Sequence, residues 1–211
     1  MNYDGQRLCG VEDRLGASGQ MCRWPSLEIT WSIVGNLPGI QPETFKRVCG
    51  LAWDAWSNVC GIRPRFVEGP SNLAIGIQTI GPGGVLADCE LPCGASPQSR
   101  LKMRVDTAEA WVVADNPPAT KVDLLRVLIH ELGHGIGIPH IGTGNLMAPI
   151  YSTTVNRPMA GDISEAVARY GLAPLPPGPD PEEPTDLTEV FAYLTNGQQF
   201  FVRRNGVITP V

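Results

Sequence analysis

The chain lacks long apolar runs, clusters of basic residues and the apolar core of a signal peptide. None of its apolar runs approaches the roughly 18 residues of a membrane-spanning helix, so the sequence predicts no membrane span. Lysine and arginine form no cluster and the net charge is −5, which disfavours a nucleic acid or an anionic membrane surface as partner. The length suits one domain of ordinary size with an appendage.

Histidine is also scarce, and all three histidines of the chain lie between positions 130 and 140, in HELGHGIGIPH. His130 and His134 are four residues apart, so on a helix they project from one face and can bind one metal ion. Gly137 suits a left-handed turn that ends the helix and reverses the chain. His140 then returns to the same ion. The spacing predicts a site for one zinc ion with three histidine ligands.

Glu131 lies beside the histidine pair and is placed to act on water instead of binding the metal. Three neutral imidazoles leave the fourth tetrahedral position of Zn²⁺ open for water, whose pKa then falls to about 7. Glu131 can take the proton of that water as general base. The alternative is an amphipathic helix with two incidental histidines. The additional glycine and His140 at this spacing weigh against that alternative.

Alternating and helical apolar patterns along the chain predict a mixed α/β domain. The helix that carries the histidines is expected to begin near Thr120, with Asp123 completing a capping pattern. A later helix is expected to begin at Asp162 and to end before Gly171. The patterns predict strands at 27–34, 65–67, 73–80, 84–87 and 101–105 and helices at 42–58, from about 120, and at 162–170.

The six cysteines form an even set, and every histidine is already assigned to one motif. Some disulfides and an oxidising, extracellular destination are therefore expected. Cys49 falls on the buried stripe of the helix at 42–58, where a thiol acts as a small hydrophobic side chain.

The histidine motif and the later segment NLMAP at 145–149 resemble those of the matrixins, zinc peptidases of the metzincin clan. The resemblance covers about residues 23–171. It implies the zincin α/β fold, with a twisted mixed five-stranded sheet, two main helices and a C-terminal helix after the methionine turn. Met147 would be the apolar floor beneath the metal and not a ligand.

The resemblance implies a zinc-dependent endopeptidase for extended protein substrates. A peptide would lie along the strand 84–87 as an added strand. Pro149 and Tyr151 resemble the wall of the pocket just beyond the scissile bond, and Leu128 on the helix would make its lining apolar. An apolar substrate residue is therefore expected there. On sequence alone, Tyr151 can equally be an ordinary core or surface aromatic.

The chain departs from the matrixins at their second, structural zinc, because it has no histidine left for that site. Asp88 and Arg104 stand at two positions where the resemblance would place histidine ligands, so we expect one catalytic zinc per chain. Calcium sites are not supported by the sequence. Cys89 and Cys93 lie close to this region, and a small disulfide loop between them is expected to brace the connection.

Cys9 has two interpretations. The segment Arg7–Asp13 resembles the matrixin inhibitory peptide, in which a cysteine thiolate takes the open zinc position; here Leu8 stands where that family has arginine. The other interpretation is a disulfide between Cys9 and Cys22, which their shared position near the start of the domain favours.

These patterns predict a monomer with four parts. Two alternative functions also stay open. One rival is a catalytically silent binding module with this fold. The other is a peptidase that a binding C-terminal tail directs to its target. The four parts are residues 1–22, an N-terminal segment with a possible short inhibitory peptide; 23–172, the metzincin catalytic domain; 173–185, a proline-rich linker; and 186–211, a small β-rich tail.

Overall fold

The computed structural model describes residues 8–9, 21–81, 84–114, 117–174, 189–193, 199–203 and 208–210. The chain divides into two compact units, Met1–Ala173 and Pro174–Val211. Within the described residues, no helix has both the length and the apolar character needed to span a membrane. The first unit contains all of the histidine motif.

A six-stranded sheet and three helices build the first unit. Five strands form the predicted mixed sheet, in which only β5 runs antiparallel to its neighbour. The sixth is a two-residue strand of the N-terminal segment, added in parallel at the β5 edge. The elements are β1 (Leu8–Cys9), β2 (Glu28–Val34), α1 (Pro42–Ser57), β3 (Arg63–Phe66), β4 (Leu73–Gln78), β5 (Val85–Cys89) and β6 (Leu101–Asp106), then α2 (Leu124–Gly135) and α3 (Ala160–Tyr170); the sheet order is β1-β5-β6-β4-β2-β3.

The core lies where α1 and α2 meet the sheet. Alternate residues of β2 such as Ile29 and Trp31 are buried, and the indole ring of Trp31 lies 6.5 Å from that of Trp53 on α1. Trp56 joins the two helices, because its Nε1 donates to the Ile129 carbonyl at 2.8 Å. The apolar stripe of α1 is buried as its helical period predicts. These contacts seat the inner face of α2 against the sheet.

The histidine helix α2 begins at Leu124, so the predicted start near Thr120 is wrong. The residues just before it, Val122 and Asp123, form a short strand instead, which pairs in parallel with Trp111–Val112. The Asp123 carboxylate then accepts from the Leu125 amide at 3.3 Å and caps the helix. Val122 is β-branched and favours a strand, and Asp123 caps the helix. The helix therefore begins after these two residues and not at Thr120.

Helix α3 begins at Ala160, two residues before the predicted Asp162. Asp162 still caps the helix, because its carboxylate accepts from the Met159 amide at 2.7 Å. It also accepts from the amides of Leu146 and Met147, at 2.8 and 3.0 Å. Asp162 is fully buried, so one carboxylate joins the start of α3 to the methionine turn.

The described cysteines form one disulfide, Cys22–Cys93. The expected Cys9–Cys22 and Cys89–Cys93 pairings are therefore wrong. Cys89 is on the side of β5 that faces α2 and packs into the core beside Gly135, whereas Cys93 lies exposed in the turn that follows. Cys49 is fully buried and forms no disulfide, as its place on the helical stripe predicts.

The second unit contains a three-stranded antiparallel sheet. The central strand pairs with both of the others in register. With β7 (Trp111–Val112) and β8 (Val122–Asp123) in the first unit, the remaining strands are β9 (Glu189–Tyr193), β10 (Gln199–Arg203) and β11 (Ile208–Pro210), in the order β11-β10-β9.

Replacing both Cys22 and Cys93 with serine should lower the free energy of unfolding by about 2–4 kcal/mol, the usual contribution of a disulfide. Denaturant titrations of the variant and of the intact protein measure the difference. Adding a reductant should lower the free energy of unfolding of the intact protein to that of the variant. The free energy of unfolding of the variant should not change. Peptide mapping of the unreduced protein that links Cys9 to Cys22, or Cys89 to Cys93, would contradict this pairing.

Candidate metal centre

The structure brings the three histidines of the motif together with one cysteine. His130 and His134 project from one face of α2, and the turn after the helix returns His140 to the same place. The ring centroids of the three histidines lie 4.7–5.6 Å apart. One donor atom from each histidine and the Cys9 sulfur all lie within 4.8 Å of one another. This cluster has the size of a single-ion site.

Backbone carbonyls orient two of the imidazole rings. The Nδ1 atom of His130 lies 2.7 Å from the Leu146 carbonyl, and that of His134 lies 2.8 Å from the Ile138 carbonyl. A carbonyl oxygen only accepts, so each Nδ1 carries the proton and each Nε2 keeps its lone pair. Second hydrogen bonds of this kind are typical of metal-binding histidines.

The buried polar atoms of the cluster fit a divalent cation. The Nε2 atom of His130 and the Oε2 atom of Glu131 are buried with no hydrogen-bond partner among the described residues. Such orphaned atoms cost free energy unless something binds them. Imidazole nitrogen and thiolate sulfur are the donors that Zn²⁺ prefers. The residues present therefore fit zinc.

Burial also sets the protonation of these groups. Loss of hydration lowers the pKa of His130 to about 4, helped by His140, and lowers the pKa of His134 well below its usual value. Both imidazoles are therefore neutral near pH 7, the state that metal binding requires. Burial raises the pKa of Glu131 to about 8, and the charge of Asp88 adds to the rise. A cation in the site would oppose that rise.

Cys9 reaches the cluster because strand β1 lies in the cleft beside it. Leu8 and Cys9 pair in parallel with Val85 and Ala87 of the edge strand β5. On its other side, the Cys9 amide donates to the Pro149 carbonyl at 3.3 Å. The Cys9 sulfur then lies 3.3 Å from Nε2 of His134. The thiol thus completes a set of four metal-binding side chains.

Met147 is fully buried and packs against Gly133 of α2, between His130 and His134 in sequence. A side chain at Gly133 would overlap both Met147 and Trp56, so the close approach requires glycine. Asp162 holds the Met147 amide from the other side. The methionine is therefore a fixed, buried support against the histidine helix.

A pocket opens beside Glu131 and His130, and both predicted wall residues, Pro149 and Tyr151, line it. The prediction that Leu128 contributes to this lining is wrong, because Leu128 is fully buried in the core. Val127 lines the pocket instead. Positions 127, 130 and 131 share one helical face.

Arg126 also lines this pocket, and sequence analysis missed it. It is 3% exposed, its Nη1 donates to the Ser152 carbonyl at 2.7 Å, and its guanidinium lies 5.8 Å from the Tyr151 ring centre. The available signal was its spacing, since Arg126 precedes His130 by four residues and so lies one helical turn earlier on the same face. The pocket wall therefore carries a buried guanidinium, which is ion-paired with the Asp123 carboxylate at 3.7 Å.

An ion pair occupies the region where the resemblance would place a second zinc. The Arg104 guanidinium donates two hydrogen bonds to the Asp88 carboxylate, one of them at 2.7 Å from Nε. In the described part of the chain, the Cys9–histidine cluster is the one group of at least three cysteine, histidine or acidic side chains close enough to share an ion. Asp88 and Arg104 neutralise each other across β5 and β6.

A helix with two histidines and a glutamate, a glycine turn to a third histidine and a buried methionine beneath them are the arrangement of a zinc metallopeptidase domain. Comparison with known families gives the same class: the matrixin model of peptidase family M10 matches residues 23–171. The chain belongs to the matrixin family, whose members are zinc-dependent metalloendopeptidases.

Similar proteins include several matrix metalloproteinases. Matrix metalloproteinase-26 of Homo sapiens is 28% identical over 69% of this chain and 58% of its own length. Interstitial collagenase of Sus scrofa is 28% identical over 100% of this chain and 49% of its own length. Stromelysin-3 of Xenopus laevis is 27% identical over 80% of this chain and 36% of its own length. The chain thus spans between 36% and 58% of these curated relatives.

Metal analysis of the purified protein by mass spectrometry should find one tightly bound zinc per chain, because one cluster holds all the histidines. His134→Ala should lose the zinc. Asp88→Asn should retain it, since Asp88 pairs with Arg104 and not with a metal. Two zinc ions per chain would show that a second site exists.

Proposed function

We propose that this chain is a zinc-dependent endopeptidase that hydrolyses peptide bonds of extended protein substrates. His130, His134 and His140 would hold the zinc, and Glu131 is the catalytic base. The observation that carries the proposal is the convergence of three histidine rings beside a buried carboxylate, in a cleft bordered by strand β5. Bound zinc supplies a Lewis acid that polarises the substrate carbonyl and acidifies water.

Glu131 performs the proton transfers of the reaction. Its carboxylate takes a proton from the attacking water and gives it to the leaving nitrogen as the peptide bond breaks. Glu131 is 1% exposed. Burial makes it a stronger base than a solvated carboxylate and keeps bulk water away from the proton during the transfer. Met147 supports the helix that carries this group.

The substrate backbone binds along β5 as an added strand. Main-chain hydrogen bonds to an edge strand hold a peptide extended without regard to its sequence. The pairing of Cys9 with Ala87 supports this mode, because that edge already accepts a strand. The scissile bond would then lie between the edge strand and the Pro149 side of the cleft.

The pocket beside Glu131 selects the residue that follows the scissile bond. Val127, Pro149 and Tyr151 line it and favour an apolar side chain. We expect apolar residues to be preferred there.

The chain acts as an extracellular monomer, in keeping with the generally secreted matrixins and with the Cys22–Cys93 disulfide. Residues 23–172 form the catalytic domain, 173–185 the linker and 186–211 a tail. Removing 186–211 from the Cys9→Ala variant and comparing the cleavage of a short peptide with that of whole proteins tests whether the tail directs the enzyme to its substrates. Loss of protein cleavage alone would assign it that role.

The N-terminal segment keeps the enzyme latent. Cys9 and the three histidines would together hold zinc through four side chains, and the thiol would then exclude the attacking water. Strand β1 also occupies the edge of β5 that a substrate needs. The Cys9 thiol would bind as thiolate, since zinc strongly depresses the pKa of a coordinating thiol.

Cys9→Ala should therefore raise peptidase activity on a quenched fluorescent peptide without loss of thermal stability. The gain follows from the return of the fourth zinc position to water. Cys49→Ala removes a thiol that does not face the site and should leave the activity of the intact protein unchanged. Equal activity of Cys9→Ala and the intact protein would refute latency.

The mechanism itself is tested in the active background. Cys9→Ala/Glu131→Ala should cleave about 10²-fold to 10⁴-fold more slowly than Cys9→Ala, the typical contribution of a general base, while metal analysis still finds zinc. Digestion of a peptide library by Cys9→Ala gives the residue preference after the scissile bond. Glu43→Ala removes an exposed carboxylate on α1 and serves as the control. Undiminished cleavage without Glu131 would instead favour a different base.

A further inference from the structure

Three consecutive carbonyls at the end of α2 each accept a hydrogen bond from a side chain. A helix end leaves its last carbonyls without helical partners, so such bonds fix the direction in which the chain leaves. Here that direction leads from His134 to His140. The three bonds run from Trp24 Nε1 to the Gly135 carbonyl at 2.8 Å, from the Tyr170 hydroxyl to Ile136 at 2.8 Å and from Arg169 Nε to Gly137 at 2.9 Å.

The Arg169 side chain makes more hydrogen bonds than those of the other two donors. Its Nε is also 3.1 Å from the Cys22 carbonyl, and its Nη1 donates to the carbonyl and the carboxylate of Glu165. The residue is 7% exposed. A buried guanidinium is costly unless its donors are satisfied, so these partners hold it in one place.

The carbonyl that Arg169 binds is one peptide unit from a group that orients a metal-binding ring. Gly137 is followed by Ile138, whose carbonyl accepts from Nδ1 of His134 and whose amide donates to Gly133 at 2.9 Å. His140 comes two residues later. Movement of the Gly137 carbonyl would therefore move both the acceptor that orients His134 and the approach of His140.

The other side of the turn packs against a backbone segment that a disulfide holds in place. Gly137 has a φ of +91°, and any side chain there would collide with the Cys22 carbonyl. Cys22 is tied by its disulfide to Cys93, in the connection that follows β5. The turn is thus clamped between Arg169 and a backbone segment that the disulfide holds.

We propose that Arg169 is a positioning residue for the metal centre, and that it acts together with the Cys22–Cys93 disulfide. The guanidinium holds the Gly137 carbonyl against Cys22, and the disulfide keeps Cys22 where the guanidinium can bind both. The turn then presents His134 and His140 in their metal-binding positions. This inference rests on the proposed zinc site.

The test measures zinc affinity in the full chain by competition with a fluorescent chelator. Arg169→Met keeps the length and the apolar stem but removes every donor. It should bind zinc at least about 10-fold more weakly, as is usual when a group that orients metal ligands is lost. The Cys22→Ser/Cys93→Ser variant should also weaken zinc binding. Adding Arg169→Met to the Cys22→Ser/Cys93→Ser variant should weaken zinc binding by a smaller factor than Arg169→Met does in the intact protein, because both changes release the same turn.

Two controls separate positioning from general stability. Glu165→Gln removes the ion pair of Arg169 but leaves both carbonyl contacts, so its zinc affinity should stay near that of the intact protein. Phe45→Leu loosens the core on α1 and lowers the melting temperature of the metal-free protein without touching the turn. Zinc affinity of Arg169→Met that is no lower than that of an equally destabilised Phe45→Leu would overturn the proposal.

The remaining outcomes are also decisive. If Arg169→Met does not fold, Arg169→Ser keeps a small polar side chain that is too short to reach either carbonyl, and the same zinc measurement applies to it. Full zinc affinity in that variant would overturn the positioning role. If the intact protein itself binds no zinc, the proposed function fails, and the positioning role fails with it.

Discussion

The polar face of α2 is buried, and the free-energy cost of removing it from water constrains everything around it. His134 and Glu131 are at most 1% exposed and His130 is 9% exposed. Polar atoms this deep need partners. Backbone carbonyls satisfy the inner nitrogens of two imidazoles, which leaves the outer nitrogens for a cation. The segments that supply those carbonyls must in turn be held. Asp162 holds one of them at Leu146, and the Gly137 turn holds the other.

Local spacing explains why the centre of the site could be predicted and its surroundings could not. His130, His134 and His140 lie within one helix and one turn, so their meeting depends on helical geometry and a glycine. The pairing of Cys22 with Cys93 spans 71 residues and depends on how β5 ends, which no local pattern contains. Arg126 was missed for a related reason. An arginine near the start of an apolar helix is ordinarily solvent-exposed, and only the later wall at Tyr151 encloses it.

The predicted five-stranded sheet is correct, and a sixth strand, β1, is added to it from outside the predicted catalytic domain. The β5 edge can pair with a single strand at a time. Strand β1 and an extended substrate would therefore compete for the same backbone groups, and Cys9 would compete with water for the same metal position. In the proposed mechanism, inhibition and catalysis would use one surface, and the ion pair between Asp88 and Arg104 bridges that strand to its neighbour.

In the proposed latent enzyme, the disulfide would give Cys9 a fixed tether. Cys22 is anchored to Cys93, and Cys9 precedes it by 13 positions in the sequence. A linker that short gives the attached group an effective concentration on the order of mM. A thiol held at that concentration needs no strong intrinsic affinity to occupy the metal. One cut in the chain between Cys9 and Cys22 would abolish this high effective concentration. The Cys9 thiol would then belong to a separate peptide that can diffuse away, while Cys22 stayed attached to the enzyme.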